Sequence, residues 1–223
     1  MGQFIAVIGS GGKTTALRAL VAMFPGKSVL LATTTHILPF EDIPLLTDPN
    51  RAELLEALSH PGPVCAGTVT EGGKLTALPP PLLDEAVQAA DLTICECDGS
   101  RRLPLKLHRP DEPVLPDCVD RCILVAGLSA LGKPISQVVH RFELNPGFSP
   151  NQPVGVEEFL FCVEETAAAS HLPREKLRIL LNQSDTAEPE AVEELLHRLR
   201  NRGFLCTAAS LQRDTSFLKN WIN

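Results

Sequence analysis

The sequence predicts an α/β protein with a three-layer, P-loop NTPase-like fold: a mainly parallel sheet between helices, plus a small hairpin insertion. Two observations carry this expectation. Short apolar runs alternate along the chain with amphipathic helical stretches, and that alternation implies parallel strands whose helical crossovers cover both faces of a sheet. The first run, Ile5-Ala6-Val7-Ile8, leads straight into Gly9-Ser10-Gly11-Gly12-Lys13-Thr14-Thr15, which has the composition of a phosphate-binding turn. At 223 residues and 44% hydrophobic, the chain can bury one substantial core. We therefore expect a single domain over residues 1–223, with a hairpin insertion at 63–78 and a functional loop at 99–117.

The elements follow in order. Ile5–Ile8 is the first strand and Ala16–Val21 lies in the helix after the glycines. Ser28–Thr33 is a short apolar run of the buried-strand type, and it ends in Thr33-Thr34-Thr35-His36. A polar stretch leads to a helix near Asn50–Ser59. Segments 63–70 and 74–78 flank Glu71-Gly72-Gly73, whose glycines supply the positive φ of a hairpin turn. Pro79-Pro80-Pro81 breaks the chain before an amphipathic helix at 82–90, which delivers the strand Asp91–Asp98. After a proline-rich loop, strands are expected at 121–126, 177–181 and 204–208, with helices at 156–171 and 190–201.

The glycine-rich turn has a definite chemistry. Glycines let consecutive backbone N–H groups point inward, and a helix opening at Thr14 adds its positive dipole end. In that frame Gly9, Ser10, Gly11 and Gly12 cradle phosphate, Lys13 neutralises β/γ-phosphate oxygens, the Thr14 hydroxyl ligates Mg²⁺ and Thr15 bonds the α-phosphate. Val7 stands where the full G-x-x-x-x-G-K-[ST] pattern has its first glycine. The shorter G-x-x-G-K-T-T form resembles the loop of Mur ligases and of some MinD-like and signal-recognition-type P-loop proteins.

A second element lies on the strand that ends at Asp98. Alternation puts Glu96 and Asp98 on one side and Cys95 and Cys97 on the other. An acidic residue at the end of a strand neighbouring the P-loop strand holds Mg²⁺ directly or through water. Asp98 is the candidate metal ligand, with Glu96 behind it as a second ligand or water activator. The following loop gathers Arg101, Arg102, Lys106, His108 and Arg109 in an otherwise acidic protein. Arginine forks suit phosphate or carboxylate oxygens, so Arg101 and Arg102 are candidates for anion recognition or for stabilising transition-state charge; the alternative is a solvated loop. Lys133, His140 and Arg141 form a weaker basic group, and His36 is a candidate substrate contact. Late in the chain, Asn182-Gln183-Ser184-Asp185 follows a strand as N-K-x-D does in guanine-binding P-loop proteins. Asn182 and Asp185 are thus candidate base contacts, with Gln183 in place of the lysine; Asn182 alone would also serve an adenine.

Composition limits the remaining options. A formal net charge of −7 argues against general nucleic-acid binding. No apolar stretch reaches the length of a membrane span and the chain enters a strand at once, so a cytoplasmic protein is expected. The seven cysteines include no C-x-x-C pair, and reduced thiols are the simpler expectation. Cys118 and Cys122 have the spacing of a shared helical face, the one hint of a structural zinc.

Taken together, Gly9–Thr15, Thr33-Thr34-Thr35-His36, the Glu96–Lys106 string with its D-G-S-R-R-L-P-L-K core, Glu112-Pro113, Gly132-Lys133-Pro134 and His140-Arg141 resemble the YqeC-type family, accessory proteins of selenium-dependent molybdenum hydroxylases. The resemblance spans most of the chain, and the D-G-S-R-R-L-P-L-K string is its specific part. It implies a cytoplasmic bacterial NTPase-like protein that helps insert or mature a selenium-containing molybdenum cofactor, with that hydroxylase or its cofactor as partner. It supplies a context and no catalytic step. The expected function is Mg²⁺-dependent binding, and hydrolysis, of ATP or GTP. The alternatives are a Mur-ligase-like ATP-dependent transferase or ligase acting on a small anionic substrate, and a nucleotide-binding module without turnover.

Overall fold

The computed structural model describes residues 2–222. Its first elements are β1 (Gln3–Gly9), α1 (Lys13–Ala22), β2 (Ser28–Thr33), β3 (Leu45–Thr47), α2 (Arg51–Leu58), β4 (Gly62–Val69), β5 (Leu75–Thr76), α3 (Pro80–Ala89) and β6 (Leu92–Glu96). There follow β7 (Leu105–Lys106), β8 (Arg121–Gly127), α4 (Ile135–Val138), β9 (Val139–His140), α5 (Val156–Ala169), β10 (Leu177–Asn182), α6 (Pro189–Asn201), β11 (Cys206–Ala209) and α7 (Leu218–Ile222). The chain is α/β with mainly parallel strands flanked by helices, the class expected from the alternation of apolar runs and amphipathic stretches.

Local chemistry accounts for the elements. In β1, β2 and β8 nearly every residue is buried, as the unbroken Ile, Val, Leu and Ala runs of parallel strands covered on both faces require. Helix α2 opens on a reciprocal cap: Glu53 N donates to Asn50 Oδ1 at 3.1 Å and Asn50 N to Glu53 Oε2 at 3.0 Å. Helix α3 starts at prolines, which lack an N–H that the first turn could not use. In α6, Val192, Leu195, Leu196 and Leu199 are buried at helical spacing.

The chain divides into two compact, interleaved units. The first comprises Met1–Val7, Leu17–Gly99 and Val114–Asp120. Its strands run parallel in the order β1-β6-β2-β4-β3, with β5 antiparallel to β4. The second comprises Ile8–Ala16, Ser100–Pro113 and Arg121–Asn223. It holds β8-β10-β11 in parallel and a separate parallel pair, β7 with β9.

Three details differ from expectation. The turn at Glu71-Gly72-Gly73 does form, but β4 also pairs in parallel with β2 and β3, so residues 63–70 belong to the sheet and are not one arm of an insertion. Burial explains it, since Val64, Cys65 and Ala66 are interior. Strand β3 lies in a stretch that reads as polar loop. Cys118 and Cys122 share no helix, because Cys122 sits inside β8 and Cys118 in the turn before it. None of the cysteines forms a disulfide.

Candidate functional site

Strand β1 delivers the glycine loop to the carboxyl end of its sheet, and Ser10 N donates to Val125 O at 2.8 Å within the second unit. Gly11 and Gly12 have φ of 79° and 129°, values that only glycine adopts without strain. Space makes the same demand. A Cβ on Gly11 would lie 2.4 Å from Gly127 N, and one on Gly12 would lie 2.2 Å from Asn182 Nδ2. Helix α1 begins at Lys13, with Ala16 N donating to Gly12 O at 3.0 Å, so its first-turn N–H groups open on the loop.

Lys13 is 4% exposed. Its Nζ donates to Gly9 O at 2.7 Å and to Ser100 Oγ at 3.2 Å. The ammonium is thus folded over the glycine loop and joined to the first residue of the basic segment. Thr14 is exposed and Thr15 half-buried. Among the described residues no three His, Cys, Asp or Glu side chains form a ready-made metal cage. A Mg²⁺ ion beside Thr14 would take part of its shell from phosphate and water, as that ion commonly does. The curled backbone, the interior ammonium and the helix start fit a phosphate group.

Asn182 has a role that the N-x-x-D spacing does not suggest. It is buried; Nδ2 donates to Gly11 O at 2.8 Å and Oδ1 accepts from Leu211 N at 3.0 Å. The Nδ2 end braces the loop from behind, and the Oδ1 end anchors the amide to the segment after β11. Asp185 lies at the surface with Arg213 at 3.3 Å. Gln183, left-handed at φ 64°, accepts from Ser129 Oγ at 2.7 Å.

In the first unit, β2 and β6 end side by side, Thr33 paired with Glu96. Glu96 O accepts from Thr34 N and from Thr33 Oγ1, each at 3.0 Å. Thr34 Oγ1 donates to Val114 O at 2.7 Å. Glu96 is half-buried, Asp98 is buried and His36 is exposed. The threonine run and the two carboxylates therefore share the carboxyl edge of adjacent parallel strands, where open α/β sheets bind ligands.

The basic loop separates into two groups. Arg101, Arg102 and Arg109 are exposed, the first two in left-handed backbone at φ 48° and 62°. Lys106 and His108 are buried, the side chain of Lys106 completely. His108 Nδ1 lies 3.2 Å from Glu165 Oε2, and the His108 backbone N–H donates to Glu165 Oε1 at 3.3 Å. Lys106 Nζ lies 3.5 Å from Glu112 Oε2, and the Arg141 guanidinium grips both Glu112 oxygens. Burial alone would raise the Glu112 carboxyl, but Arg141 and Lys106 outweigh it and hold the group below its ordinary value. His140 is pushed down to about 4, first by burial and then by Arg141, Lys106 and Arg101.

Sequence reasoning missed Ser100 as the partner of Lys13, and it missed the packing of Gly127 and Pro104 against Gly11. Gly127 did carry a signal: a glycine closing a buried strand marks close backbone approach. Its N–H donates to Pro104 O at 2.8 Å.

A profile of the family "YqeC protein" matches residues 5–143. The chain belongs to the YqeC protein family. A relative from Escherichia coli (strain K12), described as "Uncharacterized protein YqeC", is 35% identical over 146 residues, which cover 62% of this chain and 57% of the relative. The chain thus spans little more than half of that relative's length. The family match takes in the glycine loop, Glu96, Asp98, the basic loop, Glu112 and Arg141, and ends before Asn182 and Asp185. Among the described residues no helix is long and apolar enough to cross a membrane.

Proposed function

We propose that this member of the YqeC family is a Mg²⁺-dependent nucleotide-binding protein that hydrolyses ATP or GTP, and that it serves as an accessory or maturation factor for a selenium-dependent molybdenum hydroxylase. The observation that carries the nucleotide reading is Lys13, an ammonium held inside the protein at the start of a helix and over a loop of glycines with positive φ. Its Nζ lies against Gly9 O, beside the first turn of α1, whose N–H groups and dipole end also favour an anion. Phosphate is the ligand that uses all of them.

In this reading the Gly9–Gly12 turn orients the phosphates, through the backbone N–H groups of Gly11 and Gly12 and not that of Ser10, which Val125 O already engages, and Lys13 shifts from Gly9 O toward phosphate oxygen. Thr14 offers its hydroxyl to Mg²⁺, which when bound neutralises charge on the phosphates. By the sequence pattern, Asp98 and Glu96 are the carboxylates that serve the metal and the attacking water. Arg101 and Arg102, at the exposed end of the loop that begins with Ser100, contact an anionic second ligand. The accessory role rests on the family resemblance carried by the D-G-S-R-R-L-P-L-K string.

The test is calorimetric titration of ATP and GTP with and without Mg²⁺, followed by product analysis with and without the hydroxylase. Free phosphate that depends on the hydroxylase supports the proposal. Phosphate coupled to an adduct would place the protein with Mur-like ligases, and binding without turnover would make it a nucleotide module. Asp98→Asn should weaken Mg²⁺-dependent binding more than Mg²⁺-free binding; equal losses would remove Asp98 from the metal.

A further inference from the structure

The interior group around Arg141 has features that a purely structural ion pair does not need. The β7/β9 register sets Lys106 opposite His140. Arg141, the next residue, is held in left-handed backbone at φ 62° and ψ 35°, a conformation that a non-glycine residue keeps only when its surroundings impose it, and one that concentrates at functional sites. Its planar fork takes both oxygens of Glu112, the geometry by which arginine recognises carboxylate and phosphate edges. The Lys106 side chain is 0% exposed, whereas Arg141 and Glu112 retain 15% and 22%, so the group opens to solvent on the Glu112 side. Stability alone is a weak reason for such an arrangement, since apolar packing would serve as well or better than interior charge.

Position adds a further argument. Pro104, the residue before β7, accepts from Gly127 N and backs Gly11 of the glycine loop. The segment that carries Lys106 therefore packs directly on the loop that we read as a phosphate cradle.

We propose that Lys106, His140 and Arg141 form an oxyanion subsite for a second ligand, and that Glu112 fills it as an internal stand-in until the ligand's carboxylate or phosphate displaces it. The chemistry shared by both sources is a two-oxygen anionic edge, received by the Arg141 fork with the Lys106 ammonium behind it. His140, facing Arg141, Lys106, Arg101 and Glu112, is neutral at pH 7 and offers a hydrogen bond without adding charge. The proposal deepens the reading of an anionic second ligand, but it does not need the nucleotide to bind.

The experiment uses the full chain carrying Lys13→Ala, which removes the glycine loop as a competing phosphate site. Acetate and inorganic phosphate are titrated separately at constant ionic strength, and backbone amide shifts are followed by NMR. Saturable shifts at residues 105–107 and 139–142 are expected with at least one probe. Acetate alone would identify a carboxylate ligand, phosphate alone a phosphate ester, and both the shared edge. Adding Glu112→Gln should tighten binding about tenfold, because an internal competitor that fills the site most of the time reduces apparent affinity by that factor. Arg141→Lys should weaken it by removing the fork. Absence of saturable shifts, or equal affinity with and without Glu112→Gln, would overturn the proposal. Should Glu112→Gln not fold, the titration with residue 112 unchanged decides by itself. Nucleotide binding by the protein with Lys13 in place is measured in parallel, so either reading can fail without the other.

Discussion

The glycine loop at Gly9–Thr15 and the basic segment at Ser100–Pro113 both present cations in an acidic protein, yet they are built in opposite ways. In the glycine loop the chemistry is contiguous: backbone N–H groups, the lysine and the helix start come from neighbouring residues, so geometry follows from sequence. In the basic segment adjacent residues have separate fates, with Arg101 and Arg102 exposed while Lys106 and His108 turn inside. His108 meets Glu165, far along the chain, and Lys106 shares Glu112 with the equally distant Arg141. A motif made of backbone can be read locally; a motif made of charged side chains cannot, because burial and pairing decide what each charge does.

The largest effect should come from the loop's backbone. Gly11→Val places a Cβ 2.4 Å from Gly127 N at a φ of 79°, and should cost about 3 kcal/mol or more of folding stability in urea titration. Gly26, with nothing within 4 Å of an added Cβ, provides the contrast: Gly26→Ala should change stability by about 0.5 kcal/mol or less. Similar losses at both positions would refute the close-packed loop.

Next is Lys13→Ala. Loss of a charge-assisted contact to phosphate should weaken nucleotide binding about a hundredfold, roughly 2.7 kcal/mol, measured by calorimetry. Unaltered affinity would break the analogy between this loop and a phosphate cradle.

The basic segment should instead report through pH. His140 titrates near 4 in the folded protein against an ordinary 6.5, so the unfolded chain takes up the proton first. Its contribution to stability is complete above pH 6.5 and is lost as pH falls toward 4. Glu112, lowered from 4.5, has the same sign, and its contribution fades only below pH 4.5. Denaturation midpoints across pH 7 to 4 should therefore decline, and His140→Asn should flatten the upper part of that decline. An unchanged slope would show that the histidine is solvated.

The smallest stability effect is expected at the exposed arginines. Arg101→Ala with Arg102→Ala should shift stability by about 0 to 1 kcal/mol, while lowering turnover or partner binding at fixed ionic strength. Full turnover and full partner binding in the double variant would leave these residues as surface charge and confine anion recognition to the interior.

Much of this protein was determined by sequence alone. The parallel strands β1, β2, β6, β8 and β10 were legible because residues covered on both faces must be largely apolar, and the loop between β1 and α1 because glycine, lysine and threonine occur there in an order that backbone geometry demands. Strands β3, β7 and β9 were not legible. Each is two or three residues long, too short for any periodicity, and exists because a neighbouring strand offers it hydrogen bonds. The tertiary structure alone decided that Asn182 braces Gly11, that Ser100 meets Lys13, and that Glu112 lies in the grip of Arg141. Those are contacts between side chains or backbones distant in sequence, fixed by which surfaces the packed strands bring together, and no local pattern of residues encodes them.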